Sequence, residues 1–220
     1  MLSGFYNQTY ERITLQMNLD DAVAVWDGSD VIGAVLNVGS NIFILPAVAL
    51  SLWRRDFASA IIYAHVFVAS NLYHLCRAGL LCVYEFEKHQ MTDYLFVYRA
   101  IVWTLTRLAT RTSREHLIAF VFFTGVVYFC VEAKVPSFVL AAFGIALPLV
   151  SAIVISCTLH RRMFHNETWA AVSFALIGLA GAFMFLPGPS EYWWAHPVWH
   201  LFSMSASFTA ELATFTRRRR

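Results

Sequence analysis

Seven stretches of this chain are predominantly apolar over about twenty residues, some fewer: Val31 to Leu52, Phe57 to Cys76, Asp93 to Ala109, His116 to Val131, Ser137 to Leu159, Trp169 to Leu186 and Val198 to Phe215. A membrane-spanning helix needs about 20 apolar residues, and in lipid the backbone satisfies its polar groups only within helices or closed barrels. Composition agrees, since 14% of the residues are charged where a soluble domain carries about 25%. The expected fold is therefore an all-α membrane protein, a seven-helix bundle over residues 31–216. A tail over 1–30, with a short amphipathic helix around Ile13 to Trp26, precedes it, and a basic end over 217–220 follows.

Short cytoplasmic loops collect Lys and Arg. Alternate connections place Arg54, Arg55, Arg107, Arg111, Arg114, Arg161, Arg162 and Arg217 to Arg220 on one side, against Arg12, Arg77, Lys88 and Lys134 on the other. That imbalance predicts an N-terminus outside the cytoplasm and a C-terminus inside. Trp53, Trp169 and Tyr192-Trp193-Trp194 fall at expected helix ends, where indole and phenol rings prefer the interface. Pro46 and Pro148 interrupt expected helices and should kink them. Residues 1–30 lack the apolar run of a signal peptide, so the first helix is expected to direct its own insertion. Asn7-Gln8-Thr9 is a glycosylation sequon on the outer side, whereas Asn166-Glu167-Thr168 falls inside and should stay unmodified.

Polar side chains at membrane depth are costly and tend to mark function. His74 at the end of the second helix, Asp93 at the start of the third, and His196 and His200 at the start of the seventh come to one level near the outer face. Residues four apart share a helix face, so His196 and His200 can address one centre, with Ser70 a turn deeper than His74. Three imidazoles and a water form an open tetrahedral site of the catalytic zinc type. Asp93 would then orient or deprotonate the water, and Ser70 would hydrogen-bond it or a ligand. The plainer alternative is mutual hydrogen bonding. Cys76, Cys82, Cys130 and Cys157 lack metal-ligand spacing, while a disulfide between Cys76 and Cys82 stays open.

His65 is expected on the opposite helix face from His74 as a hydrogen-bonded packing residue, and His89, His116, His160 and His165 as solvent-exposed residues. Asn37 and Asn41 are expected to bond a neighbouring helix. Arg99 has no acid plainly level with it, Glu132 and Glu211 included, which leaves snorkelling or a lipid phosphate as its partner.

Asn41-Ile42-Phe43-Ile44-Leu45-Pro46, Arg54-Arg55, Ser70-Asn71-Leu72-Tyr73-His74-Leu75-Cys76, Gly79, Cys82, Asp93, Trp103, Gly178-Leu179-Ala180 and Tyr192-Trp193-Trp194-Ala195-His196-Pro197-Val198-Trp199-His200 resemble the transmembrane protein 8 family across the bundle. That family includes myomaker-like fusion proteins and a phospholipase acting on GPI-anchored proteins, and lies within the superfamily of alkaline ceramidases and adiponectin-type receptors. The resemblance implies zinc held by His74, His196 and His200, with Ser70 and Asp93 beside it, and in many members hydrolysis of a lipid amide or ester. Two departures bear on substrate preference: Arg77 stands where the family usually has an acid, and the loop from Cys76 to Cys82 looks shortened. Arg99 also stands where a small residue is common. The four cysteines form no EGF-like stretch of the kind larger members carry.

The leading expectation is a zinc-dependent hydrolase of membrane lipids at the outer mouth of the bundle, in the plasma membrane or a secretory-pathway membrane. The alternative is a myomaker-like role in cell fusion or adhesion, with a structural zinc and no turnover; an adiponectin-type receptor is weaker, since its topology is reversed. The expected partners are membrane lipids and no nucleic acid, with homo-oligomerisation left open.

Overall fold

A computed structural model of the chain describes residues 28–109, 113–133, 150, 166–185 and 192–214. Among them the ordered elements are all helical: α1 (Gly28–Ser40), a 3₁₀ turn (Asn41–Ile44), α2 (Leu45–Trp53), α3 (Phe57–Arg77), α4 (Phe86–Ala109), α5 (Ser113–Glu132), α6 (Glu167–Phe185) and α7 (Tyr192–Ala213). Among the described residues, four helical segments are long and apolar enough to cross a bilayer: Val31–Trp53, Phe57–Arg77, Arg114–Glu132 and Glu167–Met184. Their outward faces carry Ile61, Val68, Val121, Phe122, Phe129 and Leu179, each 45–70% exposed. Such surfaces belong in lipid, and the protein is an integral, multi-pass membrane protein. The expected fifth helix, Ser137 to Leu159, and the expectations for Ile13 to Trp26, Asn7, Pro148, Cys157, His160, His165 and Arg217 to Arg220 lie outside the described residues.

Three boundaries differ from the sequence reading. The first span is broken rather than continuous: the 3₁₀ turn comes just before Pro46, which has no N–H to return to Ile42, and the Leu45 N–H bonds Ile42 O instead. The third helix begins at Phe86, so Asp93 lies two turns inside it; its first turns are polar (Glu87, Lys88, His89, Gln90), which a search for apolar runs passes over. The last helix begins at Tyr192, with Pro197 inside it at the sacrifice of one hydrogen bond to Trp193.

Helix α7 is the hub, packing on α1, the 3₁₀ turn, α2, α4 and α6. A Cβ on Gly33 of α1 would stand 3.0 Å from that of Trp193, so the absent side chain permits the close approach of these helices. The core is filled by Tyr63, Val66, Val102, Trp103, Leu105, Val127, Trp199 and Met204, all buried. Two polar clusters flank it, one at each end of α7.

Candidate metal centre

At the α7 start, His196 and His200 share a face, and His74 from the last turns of α3 reaches the same point. The ring centroids lie 5.0 Å (His74 to His196), 5.2 Å (His74 to His200) and 4.5 Å (His196 to His200) apart. One ligand nitrogen from each falls within 4.8 Å of the others, a grouping that can hold a metal ion. The Nε2 atoms of His74 and His196 are 3.3 Å apart. Two nitrogens each about 2.0–2.1 Å from one tetrahedral ion stand about 3.3 Å apart, so this pair has the spacing of two ligands.

The third histidine, His200, is oriented by a residue that the sequence analysis does not single out. Ser40, at the end of α1, donates its only hydroxyl proton to Asn37 O at 3.0 Å, and its Oγ lies 2.7 Å from His200 Nδ1. With that proton directed at Asn37 O, Ser40 is free to accept from Nδ1–H, an arrangement that leaves the His200 lone pair on Nε2. That Nε2 is buried and has no protein partner, and neither has Nδ1 of His74. An orphaned nitrogen among three converging imidazoles fits a metal better than a self-contained hydrogen-bond cluster. A signal was present in sequence, because Asn37, Ser40 and Asn41 recur at helical spacing across the end of α1 and the start of the 3₁₀ turn.

Asp93 is 3% exposed and Ser70 fully buried, and the two are neighbours between α3 and α4. They stop short of a well-formed hydrogen bond: Ser70 Oγ and Asp93 Oδ1 have no partner meeting distance and angle criteria. An acceptor and a hydroxyl are thereby buried and unpaired in the same half of the bundle as the histidines. The rim is fixed by the disulfide between Cys76 and Cys82 and by His89, whose Nε2 accepts from the backbone N–H groups of Val83 and Tyr84, each at 3.1 Å.

Other expectations are corrected. His89 is buried rather than exposed, because it ties down that rim. His116 is half-buried, its ring centroid 4.2 Å from that of Trp103. His65 stacks on Phe96 at 5.1 Å, away from the cluster. Asn41 bonds the carbonyl of Asn37 within its own helix turn rather than a neighbouring helix. The Arg99 guanidinium lies 5.6 Å from the Phe120 ring centroid.

At the opposite end of α7, Glu211 is wholly buried and lies 3.5 Å from both Arg54 and Arg107. Arg107 also pairs with Asp56, which caps α3 by accepting from the Ser59 N–H at 3.2 Å. Tyr63 donates to Glu211 at 3.3 Å. In the sequence Arg54 and Arg107 serve only as markers of orientation, and Glu211 only as an acid not plainly level with Arg99.

Residues 29–201 match a family described as "protein of unknown function (DUF3522)". Transmembrane protein 8B of Bos taurus and of Mus musculus are each 23% identical to the chain over 196 residues, which takes in 83% of this chain and 41% of each relative. The chain thus spans about two fifths of the length of these relatives. Ser70, His74, Asp93, His196 and His200 all lie within the matched residues, and the chain belongs to the DUF3522 family, membrane proteins similar to transmembrane protein 8B.

Proposed function

We propose that the chain is a zinc-dependent hydrolase of membrane lipids, acting on an amide or ester bond near the outer membrane face. The observation that carries this reading is the convergence of three neutral nitrogen donors in the half of the bundle that also buries an unpaired carboxylate and hydroxyl, Asp93 and Ser70. A donor set of imidazoles suits zinc rather than magnesium or calcium, which favour oxygen. Bound there, zinc would polarise a carbonyl and ease loss of a proton from water. His74, His196 and His200 hold the ion as ligands, and Ser40 fixes the tautomer of His200. Asp93 accepts the proton as general base, and Ser70 supports it or hydrogen-bonds the lipid. The resemblance to the transmembrane protein 8 family, which implies a place in the superfamily of alkaline ceramidases and adiponectin-type receptors, supports this reading.

Seven spans and an extracytoplasmic histidine end belong to the same proposal. α5 runs from the arginine end to the histidine end, yet α6 begins at the arginine end, where the Asn166 N–H bonds Ala213 O. That arrangement supports one further crossing, for which the sequence offers the apolar run Ser137 to Leu159. The disulfide at the histidine end suits an oxidising compartment, while the arginines suit the cytoplasmic side. Tags report this: one at the N-terminus should label on intact cells, and one after Arg220 only after permeabilisation. Labelling of the C-terminal tag on intact cells would sink the orientation.

Asp93→Asn tests the catalytic role. The amide keeps most hydrogen bonds but cannot take a proton, so zinc content near one per chain and thermal stability should persist while hydrolysis is lost. A zinc-loaded wild type inert towards ceramides, glycerophospholipids and GPI-type lipids, with fusion or adhesion intact in Asp93→Asn, would favour the myomaker-like alternative.

A further inference from the structure

The histidine cluster has a cation at its lip whose charge no carboxylate among the described residues answers. Arg77 ends α3, one turn past His74 and next to disulfide-bonded Cys76, so its backbone is held where the rim begins. Its guanidinium lies 4.0 Å from the Tyr192 ring centroid, and Tyr192 in turn stacks on His196 at 4.5 Å with the ring planes 21° apart. On the other side its Nη1 donates to the Tyr73 hydroxyl at 3.3 Å, and Tyr73 packs against His74 with centroids 4.9 Å apart. Two tyrosines thus fix the guanidinium, and each touches a histidine of the cluster.

Arg54 and Arg107 are each paired with a carboxylate, but among the described residues no Asp or Glu oxygen lies within 4 Å of Arg77. The residue is exposed, and only one of its five N–H donors meets a described protein acceptor. With its face against an aromatic ring, its edge is the part left to bind, and that edge is a fork matched to an oxyanion. It sits at a helix end, the level of lipid headgroups, where the anion most available is phosphate.

We infer that Arg77 anchors the headgroup phosphate of the lipid that the histidine cluster acts on, and so selects phosphate-bearing lipids over neutral ones. The inference rests on the reading of that cluster as a lipid site. It makes Arg77 a binding residue, with Tyr73 and Tyr192 as the residues that position it.

The test uses the full chain in an uncharged detergent, zinc-loaded and chelator-stripped, with dihexanoyl phosphatidic acid, dihexanoylglycerol and inorganic phosphate as probes. Binding is followed by tryptophan fluorescence and by the shift in thermal unfolding. The wild type should bind the phosphatidic acid at least ~10-fold tighter than the diglyceride, R77Q should erase that preference, and R77K should keep only part of it, since an ammonium retains the charge but not the fork. The preference should survive removal of zinc, so a chain that hydrolyses nothing but retains Arg77-dependent binding loses the hydrolase reading and keeps this one. Equal binding of the two lipids, or an undiminished preference in R77Q, overturns the inference. If R77Q does not fold, R77K decides, and a full wild-type preference there overturns the fork. Inorganic phosphate giving as large an Arg77-dependent shift as phosphatidic acid at equal concentration would put a free anion at the rim and overturn the assignment to a lipid.

Discussion

The two ends of α7 bury comparable amounts of polar chemistry and treat it in opposite ways. At the arginine end, Glu211, Arg54, Arg107 and Asp56 answer one another's charge, and Tyr63, Ser59 and Thr104 add hydrogen bonds around them. At the histidine end, nitrogen and oxygen atoms of His74, His200, Ser70 and Asp93 are buried without partners, whereas Glu211 Oε2, an arginine-end oxygen that lacks a hydrogen bond, still lies 3.5 Å from the Arg54 guanidinium. An unpaired buried polar group costs about 1–3 kcal/mol, so the first arrangement stabilises the bundle while the second draws on that stability. A single helix joins them, and about 16 Å of rise separates His200 from Glu211. The difference teaches where to look for function: groups that satisfy each other are already occupied, and groups that do not await something else.

The contrast breaks most visibly at Glu211. Removing one member of a buried ion pair leaves the other uncompensated, at a cost of about 3–5 kcal/mol, and here two guanidinium groups lose the same partner. Glu211→Ala should lower the unfolding temperature in detergent by roughly 10 °C, equally with and without chelator. A smaller loss, or one seen only in the metal-loaded protein, would mean that the arginine end is not an independent clamp.

His74→Ala should behave in the reverse sense. Metal that binds only the folded protein stabilises it by about 4 kcal/mol at a thousandfold excess over Kd, so the wild type should melt higher with zinc than with chelator, and the variant should show no such gap. Metal analysis should find the variant nearly empty. A variant that keeps both its zinc and the gap would leave His74 outside the ligand set and dissolve the contrast.

The two ends also differ in how legible they were. Ser70, His74, Asp93, His196 and His200 stood out because each is a polar residue in or beside an apolar run, and helical spacing groups four of them into pairs. Glu211, Arg54 and Arg107 are equally plain as letters, but their pairing depends on which helices adjoin, and that spacing within one helix does not report. The apolar runs located the helices and misplaced some ends, since α4 and α7 begin in the polar or aromatic turns that flank the hydrophobic stretch. Ser40 is a third kind of miss: an ordinary serine beside two asparagines acquires its role only from His200, 160 residues away in sequence.

Ser40 offers a finer probe of the histidine end. Ser40→Ala removes no ligand, but it leaves Nδ1–H of His200 without an acceptor and the tautomer unset. Partners of this kind are worth about 10–100-fold in metal affinity, so competition with a chromophoric chelator should show a weaker site that still takes up zinc. Unchanged affinity would show that packing alone orients His200.

The smallest expected effect lies at the arginine end and is read through pH. Burial pushes the Asp56 carboxyl up, but the Arg107 guanidinium and the N–H and hydroxyl of Ser59 more than offset that and hold it below its ordinary value. A carboxylate whose folded value is depressed contributes stability above its unfolded value, about 3.9, and loses it as pH falls through the lower folded one. Asp56→Asn isolates this charge, because asparagine still caps a helix. The wild type should exceed the variant by about 1 kcal/mol at pH 7, and the margin should shrink below about pH 4 as Asp56 takes up a proton. A margin that stays the same at pH 3 would assign the effect of Asp56 to geometry, and the arginine end would then owe its stability to Glu211 and its two guanidinium partners.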